Sequence, residues 1–281
     1  MELLYRLVVV ENRAFGASPE GAEVVVRDRD HVPVGYGWVV DGVYWLRFPG
    51  RGTFRVRPDE KEVAVAANDE LEWGIVLDTY RTAVLPLAYH LLGFEALHAS
   101  AVRMKTGGIV ALCALSETGK STLAYGLSRR DNSLWTDDAL VLEIEPSEKL
   151  RCHPLPFTPH LRPETRLYFD VGVEEATALR PGDGEPLPLA ALFLLERDTL
   201  EGGATVECTQ LSLAEALPAV LPHGFRFSLS NVERKRHMMQ RYLDLVAGVP
   251  VVRFRFTPGF ELLPRVLDEL ESAVRDVVQA V

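Results

Sequence analysis

Between residues 3 and 67 the chain alternates short runs of Val, Tyr, Trp and Phe with polar breaks: LLYRLVVV, AEVVVRD, GYGWVV, VYWLRF, GTFRVRP and EVAVAA. Turn chemistry separates them, at Ala17-Ser18-Pro19, Asp41-Gly42 and Pro49-Gly50-Arg51-Gly52. Such alternation between turns predicts strands, and Asp-Gly between two aromatic-bearing runs predicts a tight hairpin. Residues 1–72 therefore read as a β-rich module of five or six strands, with a structural or substrate-positioning role.

The period then changes. Asn68-Asp69 offers a helix cap, and Val76, Tyr80, Val84, Leu87 and Leu91 recur at helical spacing. The spacing predicts a helix over 75–92, kinked or shifted by Pro86 and stopped by Gly93. Strands are predicted at 94–104 and 108–115. The second, GIVALCAL, has almost no polar residue and reads as a central strand covered on both faces. A helix over 122–129, a short strand over 133–136 ending in Asp137-Asp138, and a strand over 139–145 follow. Residues 146–188 hold eight of the eighteen prolines and predict irregular structure, with TALRPGDGEPLP at 177–188 as a loop. Beyond them come strands at 190–196, 206–211 and 250–256, and helices at 213–221, 232–245 and 262–278, the first capped by Ser212. The fold class is α/β (α+β), with an α/β core over 73–281 and no internal repeat.

Composition narrows the function classes. A formal charge of −10 repels nucleic-acid phosphate, so nucleic acid is excluded as the expected partner. Cys113, Cys152 and Cys208 form no CxxC pair, which speaks against a disulfide framework or a zinc site and fits a cytoplasmic protein. The first residues, MELLYRLVVVENRAFG, read as a first strand rather than a signal peptide, and no apolar run approaches the ~18 residues of a membrane span.

The chemistry concentrates in residues 97–143. After the buried strand stands Ala114-Leu115-Ser116-Glu117-Thr118-Gly119-Lys120-Ser121-Thr122, which matches the G-x-x-x-x-G-K-[ST] phosphate loop except that Ala114 replaces its first glycine. In such a loop, backbone N–H groups and the positive helix end surround phosphate oxygens, a lysine neutralises charge and a hydroxyl ligates Mg²⁺. Lys120 and Ser121 fill those places. Ser116 sits where a hydrolase nucleophile would, but A-L-S-E-T lacks both elbow glycines. Asp137 and Asp138 end a strand, where open α/β sheets place ligands, and adjacent acids can divide metal binding from proton handling. Ser121 and Asp138 are assigned as the metal ligands; which aspartate acts as the base is open. His98 lies on the strand neighbouring the phosphate-loop strand. Arg162, Arg166 and the Arg234-Lys235-Arg236 cluster are further candidates for an anion or a solvated surface.

The series Leu97-His98-Ala99-Ser100-Ala101-Val102, then Leu115 to Leu123, then Thr136-Asp137-Asp138 resembles the HPr serine kinase/phosphorylase-like family, which shares its nucleotide-binding core with phosphoenolpyruvate carboxykinases. The resemblance implies a P-loop kinase core, places His98 near the paired aspartates, and makes Asp137, Asp138, His98 and Lys120 the catalytic set. It also implies ATP and Mg²⁺ as cofactors and transfer of a γ-phosphoryl group to a serine of a peptide or small protein. A small-molecule alcohol is the other acceptor class, and a non-catalytic nucleotide-binding module is the reading from outside enzymology. The aromatic β module offers an interface for a homo-oligomer.

Overall fold

The computed structural model describes residues 5–11, 22–27, 32–67, 72–145, 150–178, 180, 184–198, 206–226 and 231–279. It is a mixed α/β structure with two sheets. The chain divides into two compact units, Met1–Ala96 with Phe225–His237, and Leu97–Gly224 with Met238–Val281.

In the first unit six strands, β1 (Arg6–Glu11), β2 (Glu23–Arg27), β3 (Pro33–Val40), β4 (Val43–Phe48), β5 (Gly52–Arg57) and β6 (Glu62–Ala67), form a sheet in the order β1-β6-β5-β4-β3-β2. All neighbours are antiparallel except β1 and β6. Leu46, Phe48, Phe54, Val56, Val63 and Val65 are buried, as the alternation of strand side chains requires of one covered face. The β3–β4 hairpin turns at Asp41 and Gly42, both left-handed at φ 51° and 76°. The expected helix over 75–92 is built as α1 (Trp73–Thr79), a π-helical turn at Tyr80–Val84, and α2 (Leu85–Leu91). Pro86 lacks an N–H and its ring crowds the carbonyl four residues back, and the wider π turn just before it absorbs that conflict. Gly93 at φ 95° closes the helix in a Schellman motif, with Phe94 N–H on the Tyr89 carbonyl and Gly93 N–H on that of His90. The Asn68-Asp69 cap and the Ala17-Ser18-Pro19 turn lie outside the described residues.

β7 (Glu95–Leu97) leads into the second unit. There β8 (Ala99–Arg103), β9 (Ile109–Cys113), β10 (Ser133–Thr136), β13 (Leu187–Arg197), β14 (Val206–Gln210) and β15 (Val251–Phe256) run side by side in the order β10-β8-β9-β13-β15-β14. The central pairs β9–β13 and β13–β15 are parallel. The first residues of β13 also pair with β12 (Arg151–His153), which pairs with β11 (Leu140–Glu143). All five side chains of β9 are buried, as its apolar sequence demands. Leu112, Phe193 and Phe254 of the central strands pack with Leu123 and Leu127 of α3 (Lys120–Ser128) and with Val266, Leu267 and Leu270 of α8 (Leu263–Gln279). The other helices are α4 (Pro163–Phe169), α5 (Val173–Thr177), α6 (Leu213–Val220) and α7 (Val232–Gly248).

Two expectations change here. The strand over 94–104 is broken at His98, between β7 and β8, because the His98 N–H pairs with the His223 carbonyl (2.7 Å) instead of a ladder partner. The proline-rich stretch is more ordered than its composition suggests: Pro163 occupies the first turn of α4, where the missing N–H is free of cost. The membrane expectation is met only as far as helices go: among the described residues no helix is long and apolar enough to cross a membrane.

Candidate functional site

β9 ends at Cys113 and the chain turns through residues 114–119 into α3. Ala114 is 3% exposed. It is absent from the left-handed positions of the loop, which are Glu117 at φ 70° and Gly119 at φ 113°. A methyl therefore strains no backbone where the phosphate-loop pattern has its first glycine, whereas Gly119 occupies a conformation that L side chains avoid. Leu115, Ser116 and Glu117 are exposed. No side chain caps α3, so the N–H groups of its first turn lack intrahelical partners at the positive end of the helix. The loop is tied down from outside: Arg162 Nη2 lies 2.7 Å from Glu117 Oε1, and Arg197 Nε donates to the Thr118 carbonyl at 3.0 Å.

Lys120 and both aspartates meet beside this loop. Asp137, 3% exposed, accepts from Ser100 Oγ (2.5 Å) and Ser121 Oγ (2.9 Å) on Oδ1, and from the His160 main-chain N–H (2.9 Å) on Oδ2. Asp138 is left-handed at φ 68°, which turns its carboxylate away from that nest; its Oδ2 lies 2.9 Å from His160 Nδ1. His98 Nδ1 stands 2.9 Å from the Asp138 carbonyl oxygen. A carbonyl only accepts, so Nδ1 carries the hydrogen and Nε2 is left to accept from Lys120 Nζ at 3.2 Å. The same ammonium donates to the Ala114 carbonyl at 3.1 Å.

These contacts set the charges. Burial lowers the pKa of the Lys120 ammonium, against the pull of Asp138, Cys113 and Asp137. Burial, then the charge of Lys120, lowers that of His98, which favours the neutral ring that the tautomer needs. The two aspartates are driven apart. Burial and the charge of Asp138 raise the Asp137 carboxyl despite its three hydrogen bonds. At Asp138 burial also pushes upward, but the His160 hydrogen bond and the charges of His98, His160 and Lys120 outweigh it and hold the carboxyl below its ordinary value. Burial drives the Cys113 thiol up to about 12, which removes it as a nucleophile.

The structure thus brings together His98, Lys120, Ser121, Asp137 and Asp138, while Leu115, Ser116, Glu117, Thr118 and Gly119 form the loop. Thr122 faces elsewhere, sharing a hydrogen bond with Thr165 (2.9 Å). Arg166 Nε is buried without a hydrogen-bond partner. Arg234 belongs to the first unit, where it bonds His90 Nδ1 (2.6 Å) and the His90 carbonyl (2.8 Å) and lies 3.7 Å from the buried Glu95. Sequence reading missed Ser100 and His160. For Ser100 the signal was present: it stands two residues after His98 on strand-like sequence and so shares its face. For His160 only the neighbouring Pro159 marked a turn.

No protein-family model matches the chain, and no curated protein matches it. Among solved structures it is similar to the HPr(Ser) kinase/phosphatase from Coxiella burnetii, at 13% identity over 63% of this chain and 88% of that one, with a TM-score of 0.32. A likeness of that score is distant and carries no argument about activity.

Proposed function

We propose that the protein is an ATP- and Mg²⁺-dependent phosphotransferase with a P-loop core of the HPr kinase type, which moves a γ-phosphoryl group to a hydroxyl, the acceptor being a serine of a peptide or small protein. One observation carries the reading: Ser121 at the start of an uncapped helix is hydrogen-bonded to Asp137, and Asp138 stands beside it with Lys120 and His98. A surface G-K-S turn has no need of two aspartates and a desolvated lysine.

The donor set fits the nucleotide and its metal. Free N–H groups at a helix start suit phosphate oxygens, and Ser121 and the carboxylates are the hard oxygens that Mg²⁺ prefers. Among the described residues no group of three or more His, Cys, Asp or Glu could hold a metal alone. Mg²⁺ commonly takes one or two carboxylates and completes its shell with water and phosphate. ATP with Mg²⁺ would supply the phosphoryl group and offset its developing charge. The hydrogen bonds favour Asp137, in place of the Asp138 expected from the sequence, with Ser121 on the metal side, since the two already share a contact. That leaves Asp138, the more accessible carboxylate at 27% side-chain exposure, to orient the acceptor hydroxyl. Its lowered pKa suits orientation better than strong proton abstraction, which a loose phosphoryl transition state scarcely requires. Lys120 neutralises phosphate charge, and His98 holds the ammonium in place.

Asp137→Asn and Asp138→Asn, assayed apart for ATP binding and for phosphoryl transfer, test the assignment. Asp138→Asn is expected to keep ATP affinity within about threefold and to lose at least about 100-fold in transfer. Asp137→Asn is expected to weaken the Mg²⁺ dependence of binding as well. Equal effects of both variants on both assays would contradict the division of roles.

A further inference from the structure

Residues 157–165 cross the site from outside the motif region and touch each of its parts. His160 reaches both aspartates, Arg162 pairs with Glu117 of the loop, and Thr165 bonds Thr122 of α3. Of these contacts only those of His160 fall on the reacting groups. Its main-chain N–H fixes Asp137 Oδ2 and its Nδ1 fixes Asp138 Oδ2, each at 2.9 Å. A carboxylate only accepts, so Nδ1 carries the hydrogen toward Asp138.

We propose that His160 is a positioning residue for phosphoryl transfer: its imidazole sets the direction of the Asp138 carboxylate toward the acceptor hydroxyl, while its own N–H holds Asp137 on the metal side. Three observations support this. Asp138 stands at φ 68°, a conformation that a non-glycine residue keeps only where its surroundings hold it. His160 donates the side-chain hydrogen bond to the Asp138 carboxylate, while His98 binds its carbonyl instead. The imidazole is itself 40% exposed, so it is not there to fill the core. One residue on the 157–165 segment thereby couples the two acids, and a shift of its imidazole alone would misdirect the acceptor without disturbing the phosphate loop. Displacements of about 1 Å at such a position cost on the order of 100-fold in rate.

The proposal rests on the phosphotransferase reading, and the experiment separates the two. His160→Ala and His160→Asn are compared with wild type for binding of a fluorescent ATP analogue and for phosphoryl transfer from MgATP to a pool of synthetic serine-containing peptides. The main-chain N–H on Asp137 survives both substitutions, so they isolate the Asp138 contact. His160→Ala is expected to bind the nucleotide within about twofold of wild type and to lose about 100-fold in kcat with little change in KM for ATP. His160→Asn, whose amide can donate from nearly the place of Nδ1, is expected to recover to within about tenfold of wild type. If wild type transfers phosphate and folded His160→Ala matches it, the positioning role is wrong and the function stands. A folded His160→Asn no better than His160→Ala overturns it as well. Should His160→Ala fail to fold, the Asn variant alone decides, by its kcat against wild type. If wild type transfers nothing to peptides or water, both readings fall.

Discussion

Ala114 is the residue at which the sequence departs from the phosphate-loop pattern, and its backbone removes the conformational part of the difficulty. Glycine is required there only if φ is positive or if another group must come closer than a methyl allows; the first does not hold, because the left-handed positions are Glu117 and Gly119, and the second is open to a direct test. Ala114→Gly is therefore expected to change ATP affinity by less than about twofold and to lower stability by about 1 kcal/mol through chain entropy, as calorimetry and denaturant titration would register. A gain in affinity of tenfold or more would mean that the methyl does obstruct the phosphates. Glu117 is the costlier residue, holding a left-handed conformation and placing a carboxylate on the loop proposed to bind phosphate, and Arg162 offsets its charge at 2.7 Å. Neither feature could be read from the motif, since the pattern leaves that position unspecified.

At the scale of elements, what the sequence disclosed depended on whether periodicity or a single contact decided the outcome. The β-rich opening, the buried β9 and α8 follow from alternation, from an apolar run and from amphipathic spacing, and all stand where those patterns put them. The π turn before Pro86 and the break at His98 come from a ring clash and from one long-range hydrogen bond, which no local pattern carries. The same holds within the site. Asp137, Lys120 and Ser121 were visible as a motif, whereas Ser100 and His160 reach them across separations of 37 and 23 residues. Packing adds a constraint on α3, the helix that begins at Lys120. A Cβ at Gly126 would lie 2.7 Å and 3.0 Å from the two Leu267 methyls and 3.3 Å from Phe169 Cζ. Gly126→Val is thus expected to destabilise the protein by at least about 2 kcal/mol, because a buried branched side chain must push α8 and Phe169 aside. A chemical-denaturation midpoint equal to that of wild type would show that the helices yield without cost.

For the whole molecule, the desolvated histidines link the site to stability. Burial, with the charges of Lys120 and His98 adding to it, pushes the His223 imidazole down to about 4 from an ordinary 6.5. The folded state then binds the proton less tightly than the unfolded chain. Its contribution to stability is complete above about pH 6.5 and is lost as pH falls toward about 4, and His98 acts in the same sense. Asp137, with its carboxyl raised, acts in the opposite sense, so the His223 contribution is read as a difference between variants. Between pH 6.5 and 4.5 the melting temperature of wild type is expected to fall more steeply than that of His223→Gln. Parallel curves would mean that the ring titrates alike folded and unfolded.

The phosphotransferase reading rests on the same buried charges, and its direct check is phosphoryl transfer itself. Wild type and Asp138→Asn are incubated with MgATP and a pool of serine-containing peptides, ATP binding is measured in parallel by calorimetry, and phosphorylated peptide is counted by mass spectrometry. The expected result is that both proteins bind ATP while only wild type yields phosphopeptide at a measurable rate. Wild type that binds no ATP, or that binds it and phosphorylates nothing while Asp138→Asn behaves identically, would contradict the phosphotransferase account.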